Sequence, residues 1–335
     1  MKKIFCFGEI LLRFSPSGGS ENFDENLMPV YVGGAELNAA HALALWNLPV
    51  KFCTAMPDNF LSASIKNYLE HKKIDTSAIV HSGERLGLYY LEQGKDMKNT
   101  GVVFDRAGSS FSELTPGTIK WHEIFREVSW FHFSAIAASL TNNAAAVCLE
   151  ALEAANDLGI TISVDLNYRE KLWKYGKKPV DIMPELVKYC DVVMGNIWAV
   201  ESLLGLASPV KESMDKSENE LIEAAAKSMK AIHLTYPKVQ TIAFTYRLDD
   251  KYFAVIQHGT EINISKTFEL SKVIDKVGSG DCFMAGLIYG LYSRHSLQKV
   301  VDFAAAAAVG KLYEKGDTTK QSIEEINKRI LKTIG

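Results

Sequence analysis

The chain has 335 residues, of which 47% are hydrophobic and 23% charged; this is an ordinary globular composition and excludes a disordered or fibrous chain. The net charge of −3 gives no general attraction to nucleic acid or to an anionic membrane. The five cysteines include no Cys-x-x-Cys pair, so we expect reduced thiols and no zinc site. No apolar run is long enough for a signal peptide or a membrane span. We therefore expect a cytoplasmic protein with neither nucleic-acid nor membrane partners.

Short apolar runs rich in β-branched and aromatic residues predict buried strands. These runs are residues 4–7, 50–55, 130–133, 160–164, 192–194 and 241–245. Helical spacing of apolar residues predicts helices between them, at 35–47, 143–159 and 218–233. This alternation favours a parallel sheet that is covered by helices on both faces.

Two stretches interrupt the alternation, at residues 11–32 and 86–106. Both resemble half-exposed strands that are separated by Gly, Ser, Pro and Asn turns, and the second has the pattern of a hairpin. We interpret the two stretches as one small β-sheet that projects from a single domain spanning residues 1–335. Such a sheet would be a lid or a dimerisation surface; two ordinary surface hairpins are the alternative.

A glycine-rich turn provides the strongest local signal for chemistry. Gly278, Ser279, Gly280 and Asp281 precede apolar residues at helical spacing, so the turn lies at a helix N-terminus. Unpaired N–H groups at such a terminus form a cradle for phosphate. No Gly-Lys-Ser/Thr tripeptide occurs, and the third glycine of a dinucleotide fingerprint is replaced by Phe283. Neither a Walker A loop nor a dinucleotide site is therefore favoured.

Asp281 has two readings at the end of this turn. It could be an aspartate that caps its own helix, or a general base that deprotonates a hydroxyl attacking the phosphate in the cradle. A second, weaker signal is the helix start Gly33-Gly34 with Asn38 one turn further on. Glycine permits close approach of a ligand, and the amide of asparagine can both donate to and accept from sugar hydroxyls.

Taken in this order, the two motifs resemble those of the ribokinase-like sugar kinases, the PfkB carbohydrate kinases. Further similarities are Gly8-Glu9 and the segments 165–173, 191–196 and 303–309, so that the resemblance covers essentially the whole chain. It implies a three-layer α/β/α sandwich with a small β-sheet lid, and the use of ATP and Mg²⁺. It also implies that Gly278, Ser279 and Gly280 form the anion hole, that Asp281 is the catalytic base, and that Gly33, Gly34 and Asn38 line the sugar site.

Arg106 indicates which sugar the resemblance favours. Family members that phosphorylate 2-keto-3-deoxygluconate, a sugar acid, are similar around this arginine, and an arginine fork suits a carboxylate. The resemblance adds a set of further substrate contacts: Tyr89, Phe104, Arg169 and Asp317. Phe104 stands where the subgroup usually has tyrosine, so a missing hydroxyl would have to be supplied by another residue such as Tyr89.

The resemblance places the end of the site that binds ATP, called the nucleotide end below, at a second set of residues. These are Asn167, Asn196, Thr245 and Arg247, together with Gly278 and Gly280. Asp165, Asn167 and Arg169 would emerge on one face if their strand continues through them. Two departures from the family pattern occur here. Ala199 replaces the glutamate that helps to organise magnesium, and no glycines follow Thr245. We therefore expect Mg²⁺ to be held through phosphates and water near Asn196, and a monovalent-cation dependence is left open.

The sequence therefore predicts an ATP-dependent kinase that converts a small-molecule sugar acid, 2-keto-3-deoxygluconate, into its 6-phosphate. The alternatives are a kinase of a neutral sugar or a nucleoside, which Arg106 opposes, and a non-catalytic sugar sensor, which Ala199 favours. The large side chains of Tyr31, Tyr89 and Phe104 in the lid stretches favour a covered outer face. We expect a homodimer through residues 11–32 and 86–106, with higher assembly left open.

Overall fold

A computed structural model describes residues 2–16, 28–92, 101–210 and 216–332. Its strands form one large sheet, a four-stranded sheet and a two-stranded sheet. In chain order the strands are β1 Lys3–Phe7, β2 Leu11–Phe14, β3 Val30–Gly33, β4 Val50–Cys53, β5 Ala55–Met56, β6 Ile74–Asp75, β7 Val80–His81, β8 Gly87–Leu91, β9 Val102–Asp105, β10 Val128–Ser134, β11 Thr161–Asp165, β12 Val192–Gly195, β13 Thr241–Arg247, β14 Lys251–His258, β15 Glu261–Ile264 and β16 Phe268–Glu269.

The helices alternate with the strands of the large sheet. In chain order they are α1 Ala35–Leu45, α2 Phe60–His71, α3 Trp121–Ile124, α4 Ala135–Ala138, α5 Asn142–Asp157, α6 Pro179–Val187, α7 Ile197–Leu204, α8 Glu218–Thr235, α9 Ser279–Tyr292, α10 Leu297–Lys311 and α11 Ile323–Lys332. Within the described residues, no helix is both long and apolar enough to span a membrane.

The large sheet has the strand order β15-β14-β13-β12-β11-β10-β1-β4-β6, and β16 pairs with β14. From β13 to β6 every neighbouring pair is parallel, whereas β14 runs antiparallel to β13, β15 and β16. Parallel neighbours require crossover connections, which the helices provide. The carboxyl ends of the parallel strands therefore share one edge of the sheet, where ligands of open α/β sheets bind.

Two hydrophobic cores sandwich the large sheet, as strand β1 shows. Phe5 and Phe7 belong to the core that contains α5 and α8, while Ile4 and Cys6 belong to the core that contains α1, α9 and α10. Successive side chains of a strand point to opposite faces, so helices cover both faces of the sheet. The predicted three-layer α/β/α sandwich is confirmed.

The four-stranded sheet has the order β3-β2-β8-β9 and is called the small sheet below. Its strands lie in the two stretches that interrupt the alternation of the sequence. Directly paired residues share a face, and the register gives two rows. One row contains Tyr31, Arg13, Tyr89 and Phe104, and the other contains Val30, Phe14, Tyr90 and Val103. The first row is the inner face, because Arg13 and Tyr89 are buried.

The predicted strands and helices of the large sheet are confirmed, with ends that shift by at most a few residues. One expectation is wrong: the strand does not continue through Asn167 and Arg169, because β11 ends at Asp165. The neighbouring strand β12 ends at Gly195, opposite this point, so the chain beyond has no partner strand and turns away from the sheet. The antiparallel strands β14 to β16 are additional to the prediction.

Candidate active site

One pocket runs along the carboxyl edge of the parallel strands. Residues at or just beyond the ends of five of these strands line it: Glu9 after β1, Ile136 after β10, Asn167 after β11, Asn196 after β12 and Arg247 at the end of β13. The pocket therefore crosses the strand order from β13 to β1, and neighbouring strands lie about 4.8 Å apart. The edge from β13 to β1 spans four such strand spacings, and a pocket of that length can hold two ligands end to end.

The pocket brings together every site residue predicted from sequence except Gly33. The predicted residues that line it are Gly34, Asn38, Tyr89, Phe104, Arg106, Asn167, Arg169, Asn196, Thr245, Arg247, Gly278, Ser279, Gly280, Asp281 and Asp317. Gly33 lies directly behind this wall, because a Cβ atom at Gly33 would sit 2.2 Å from the Asp317 carboxylate. Asn167 and Arg169 reach the pocket from a non-strand segment.

The glycine turn begins helix α9 without a side-chain cap. Gly278 is the N-cap residue with a left-handed φ of 79°, and the first bond of the helix runs from the Cys282 N–H to the Gly278 carbonyl. The N–H groups of Ser279, Gly280 and Asp281 therefore have no intrahelical acceptor. The Ser279 hydroxyl donates to the Ala308 carbonyl at 3.0 Å, so only the main chain of Ser279 is available to an anion.

Gly278 is also fixed by the space around it. A Cβ atom at this position would lie 2.0 Å from the Asp317 carbonyl oxygen, which no side chain tolerates. The turn, the left-handed backbone and the helix dipole together form an anion-binding cradle.

Asp281 lies at the junction of this cradle and the rest of the pocket. Its Oδ2 accepts a hydrogen bond of 2.7 Å from Asn38 Nδ2. Burial raises the pKa of Asp281 to about 7, while Asn38 and Arg169 oppose the rise. At neutral pH the carboxylate is therefore close to half-protonated, which is the state in which a general base works well.

The amide nitrogen of Asn38 donates to Asp281, a contact that the sequence did not predict. Its Oδ1 is buried and has no hydrogen-bond partner among the described residues. A buried acceptor without a partner is costly. A hydroxyl group of a ligand beside Asp281 would satisfy it, so Asn38 can orient both the base and the substrate.

Arg106 is ion-paired within the protein. Its Nε and Nη2 lie 2.6 and 2.5 Å from Glu9 Oε2, and Ser109 donates its hydroxyl to the other oxygen of Glu9. Both charged side chains are buried. Glu9 therefore fixes one edge of the guanidinium, and Nη1 makes no hydrogen bond to the described residues. The sequence did not predict this partner, although Gly8-Glu9 was part of the family pattern.

Asp317 lines the same end of the pocket. Its Oδ2 accepts a hydrogen bond of 2.7 Å from the Tyr89 hydroxyl, and its Oδ1 lies 2.8 Å from Arg13 Nε. Burial raises the pKa of Asp317, and Arg13 and Tyr89 oppose this rise. Phe104 packs near Tyr89, with ring centroids 6.2 Å apart. The site prediction did not include Arg13.

Asp165 is a further pocket residue that the predicted site set omitted. Burial raises its pKa well above the usual range, and the nearby charge of Asp281 adds to the rise. Two neighbouring carboxyl groups that both resist ionisation leave room for only one negative charge at a time. Asp165 therefore favours a neutral partner, such as a sugar hydroxyl, over an anion at this position.

The nucleotide end of the pocket contains both sequence departures from the family pattern, at Ala199 and after Thr245. Ala199 is buried in the core and is absent from the pocket wall, while Glu201 is exposed and cannot replace the missing glutamate. The turn after β13 is closed by a bond of 2.8 Å from the Leu248 N–H to the Lys251 carbonyl. Arg247 lines the pocket where the family pattern has glycine.

A magnesium ion fits this end only when other groups supply most of its ligands. The described residues contain no cluster of three or more His, Cys, Asp or Glu that could hold a metal. The Asn196 side chain lines the pocket and makes no capping bond to α7. Mg²⁺ usually keeps several waters and binds substrate phosphates, so a site of this kind is compatible with Asn196.

A comparison with known protein families identifies the family of the chain. Residues 1–324 match the model of the pfkB family carbohydrate kinases, and the chain belongs to this family. The predicted carbohydrate kinase is confirmed, and membership of a kinase family implies the use of ATP.

Three known proteins illustrate what the chain is similar to. The crystal structure of 2-dehydro-3-deoxygluconokinase from Thermotoga maritima is 33% identical, with a TM-score of 0.88 over 99% of this chain and 100% of that one. The 2-dehydro-3-deoxygalactonokinase of Haloferax volcanii is 25% identical and aligns with 98% of this chain and 96% of its own length. A fructokinase from Xylella fastidiosa with bound ATP is 19% identical, has a TM-score of 0.79 over 99% of each chain, and supports the fold alone.

Proposed function

We propose that this protein is an ATP-dependent, cytoplasmic kinase that converts 2-keto-3-deoxygluconate, or a close sugar acid, into its 6-phosphate. The observation that carries the proposal is the position of Asp281. It lies beside an uncapped helix N-terminus and has a pKa raised to about 7. A general base and an anion cradle in contact are the parts that phosphoryl transfer to a hydroxyl needs.

Proton transfer follows from this arrangement. The ionised Asp281 accepts the proton of the primary hydroxyl as that oxygen forms its bond to the γ-phosphorus, and the bond from phosphorus to the leaving oxygen of ADP breaks. Asn38 holds the carboxylate by its amide N–H, at 2.7 Å. Its unpartnered Oδ1 accepts a hydrogen bond from the sugar. The hydroxyl and the base are thereby oriented by the same side chain.

The charge of the transferred group is stabilised by the main chain. The N–H groups of Ser279 and Gly280 donate to its equatorial oxygens, at the positive end of helix α9. Arg247 and Thr245 on β13 bind the remainder of the nucleotide. Mg²⁺, when bound with ATP, neutralises phosphate charge, and Asn196 would hold it through water.

The sugar-acid assignment rests on Arg106 and on the relatives. The guanidinium of Arg106 keeps Nη1 for a substrate carboxylate, while Glu9 fixes its other edge. Arg169 also lines the pocket and adds positive charge. The similar proteins from Thermotoga maritima and Haloferax volcanii are both named as kinases of sugar acids.

The test is a turnover panel. ADP release is measured with ATP and Mg²⁺ for 2-keto-3-deoxygluconate, its galactose counterpart, fructose, ribose and adenosine, each in potassium and in sodium buffer. We expect turnover of the acids only. Efficient turnover of a neutral sugar would replace this assignment with a neutral-sugar kinase. The two buffers determine whether the reaction depends on the monovalent cation.

A non-catalytic sugar sensor is the second candidate. Ala199, which replaces a carboxylate beside the nucleotide, favours it. A sensor would bind the sugar acid in calorimetry while releasing no ADP with any member of the panel. The raised pKa of Asp281 opposes this candidate, because a binding protein has no need of a base that titrates near neutral pH.

We further propose that the whole chain is one kinase domain and that the small sheet is its lid and its dimer contact. Tyr31, Tyr89 and Phe104 suggested a dimer from sequence, but the register places them on the inner face. The outer row instead exposes Val30 and Val103, at 48% and 59%. Exposed apolar patches on a soluble protein usually have a partner.

A homodimer through the outer row predicts that a charge there splits it. We expect Val103→Asp to sediment as a monomer at micromolar concentration, while wild type sediments as a dimer. Val180→Asp, which changes an exposed valine on α6 away from the small sheet, should not alter the assembly. A fully active wild-type monomer would contradict the proposal.

A further inference from the structure

Arg13 is a buried charge to which the proposed reaction assigns no role. It lies in β2, its side chain is 2% exposed, and its guanidinium stacks over the Tyr31 ring at 4.5 Å from the centroid. A guanidinium remains charged in every protein environment. Its burial therefore requires fixed negative partners.

Arg13 has two carboxylate partners. Its Nη2 and Nη1 donate to the two oxygens of Asp275 at 2.7 and 3.3 Å, and its Nε lies 2.8 Å from Asp317 Oδ1. The guanidinium thus lies between the loop before the glycine turn and the loop after α10. The fork donates two hydrogen bonds to Asp275, whereas the contact with Asp317 is an ion pair without hydrogen-bond geometry. A lysine ammonium cannot make such a forked contact while also lying beside the second carboxylate.

The first partner holds the loop that leads into the anion cradle. Asp275 Oδ1 accepts a bond of 3.0 Å from the Val277 N–H, and its Oδ2 accepts one of 3.1 Å from the Gly316 N–H. Asp275 therefore ties the residues directly before Gly278 to the loop that carries Asp317.

The second partner belongs to the pocket wall. Asp317 binds the Tyr89 hydroxyl of the small sheet at 2.7 Å, and its main-chain carbonyl packs against Gly278 so closely that a Cβ atom there would lie 2.0 Å away. The position of Asp317 thus affects the sugar end of the pocket and the cradle at the same time.

We propose that Arg13 is a positioning residue that holds the small sheet, Asp317 and the cradle at Gly278 in one fixed arrangement. It acts through Asp275 and Asp317 and touches neither substrate. The proposal rests on the proposed function, because its purpose is to align a sugar hydroxyl with the phosphate. A displacement of reacting groups by about 1 Å can cost about 10²-fold in rate, and two carboxylates without their common arginine repel each other.

Two substitutions and a matched control test the proposal. Arg13→Met keeps an apolar stem and removes the fork, while Arg13→Lys supplies a charge that reaches only one carboxylate. Arg85→Met is the control, because Arg85 pairs with Asp105 of the small sheet at 2.9 Å and lies outside the cluster.

Steady-state kinetics give the first readout. We expect kcat to fall about 10²-fold in Arg13→Met, the cost of misplaced reacting groups. Arg13→Lys should lose less. KM for ATP should change little in either variant, because Arg13 does not line the nucleotide end, and Arg85→Met should keep the wild-type kcat. Unchanged kcat in Arg13→Met, or an equal loss in the control, would overturn the proposal.

Hydrogen exchange of the unliganded full-length protein gives the second readout. We expect faster amide exchange at Val277, Cys282 and Gly316, whose N–H groups are hydrogen-bonded in this cluster, in Arg13→Met than in wild type or Arg85→Met. An even increase across all helices and strands would mean that Arg13 serves only stability, and would overturn the proposal. If Arg13→Met does not fold, Arg13→Lys carries both measurements. If wild type phosphorylates no sugar, the proposed function fails, whereas the exchange comparison still decides whether Arg13 holds the cradle.

Discussion

Replacing Asp281 by asparagine tests the chemistry and the energetics of the site together. Burial raises the pKa of Asp281 from 3.8 to about 7, so the native state binds this proton more tightly than the unfolded chain does. At about 1.36 kcal/mol for each pH unit, the ionised carboxylate destabilises the native state by up to about 4 kcal/mol. This is an upper bound, because Asp281 is only partly buried and water in the pocket lowers the cost.

The sign of the pH dependence follows from the raised pKa. Between about pH 4 and pH 7 the native state holds more protons than the unfolded state, so its stability falls as the pH rises through this window. Asparagine carries no charge, so the variant does not lose stability through this residue as the pH rises. Asp281→Asn should therefore unfold at a higher urea concentration than wild type at about pH 8, with little difference near pH 4.

The same variant should lose the reaction. Removal of a positioned base typically costs about 10²–10⁴-fold in rate, which an ADP-release assay measures directly, while calorimetry should show that the sugar still binds. Asp105→Asn is a suitable control, since Arg85 lowers the pKa of this exposed carboxyl and no stabilisation at high pH is expected. If Asp281→Asn keeps more than about a tenth of wild-type kcat, or is no more stable at high pH, the reasoning fails.

Three further substitutions test individual contacts. Asn38→Ala removes the hydrogen bond to Asp281, so the pKa of Asp281 should rise further. The acid limb of the pH profile of kcat/KM should then move to higher pH, and an unmoved limb would show that this hydrogen bond does not lower the pKa of Asp281. Arg106→Ala should weaken acidic substrates by about 1.5–3 kcal/mol, the usual cost of a charge-assisted contact, and should affect neutral sugars much less, as paired KM measurements would show. Gly278→Ala should lower kcat by about 10²-fold through a distorted cradle, whereas Gly159→Ala, which has a similar left-handed backbone but open space around it, should keep the wild-type kcat.

Local chemistry explains which parts of the fold could be predicted from the sequence. Central parallel strands are buried on both faces, so they are continuous apolar runs such as residues 192–194. Strand β15 is largely exposed, so its pattern is weak, whereas β14 contains a buried run that the prediction missed. The end of β11 at Asp165 depends on where its neighbour stops, which the sequence of β11 does not contain.

The same distinction applies to the site. The glycine turn with Asp281 was predictable because its geometry is set by adjacent residues. Arg13 was not, because a single arginine in a short strand usually points to solvent, and its partners Asp275 and Asp317 are distant in the chain. The partner of Arg106 was missed for the same reason, since only the tertiary fold brings Glu9 to it.

The charges around the pocket show why Asp281, among several acids, is suited to move a proton. Glu9 and Asp317 each lie 2.8 Å or less from an arginine, so both carboxylates are already engaged by a fixed cation. Asp281 accepts instead from the neutral amide of Asn38, and the described residues give it no ion pair. Asp165 is buried beside it, and burial raises its pKa well above the usual range. A base must be able to gain and lose its proton near neutral pH, and among these acids the surroundings of Asp281 meet that condition.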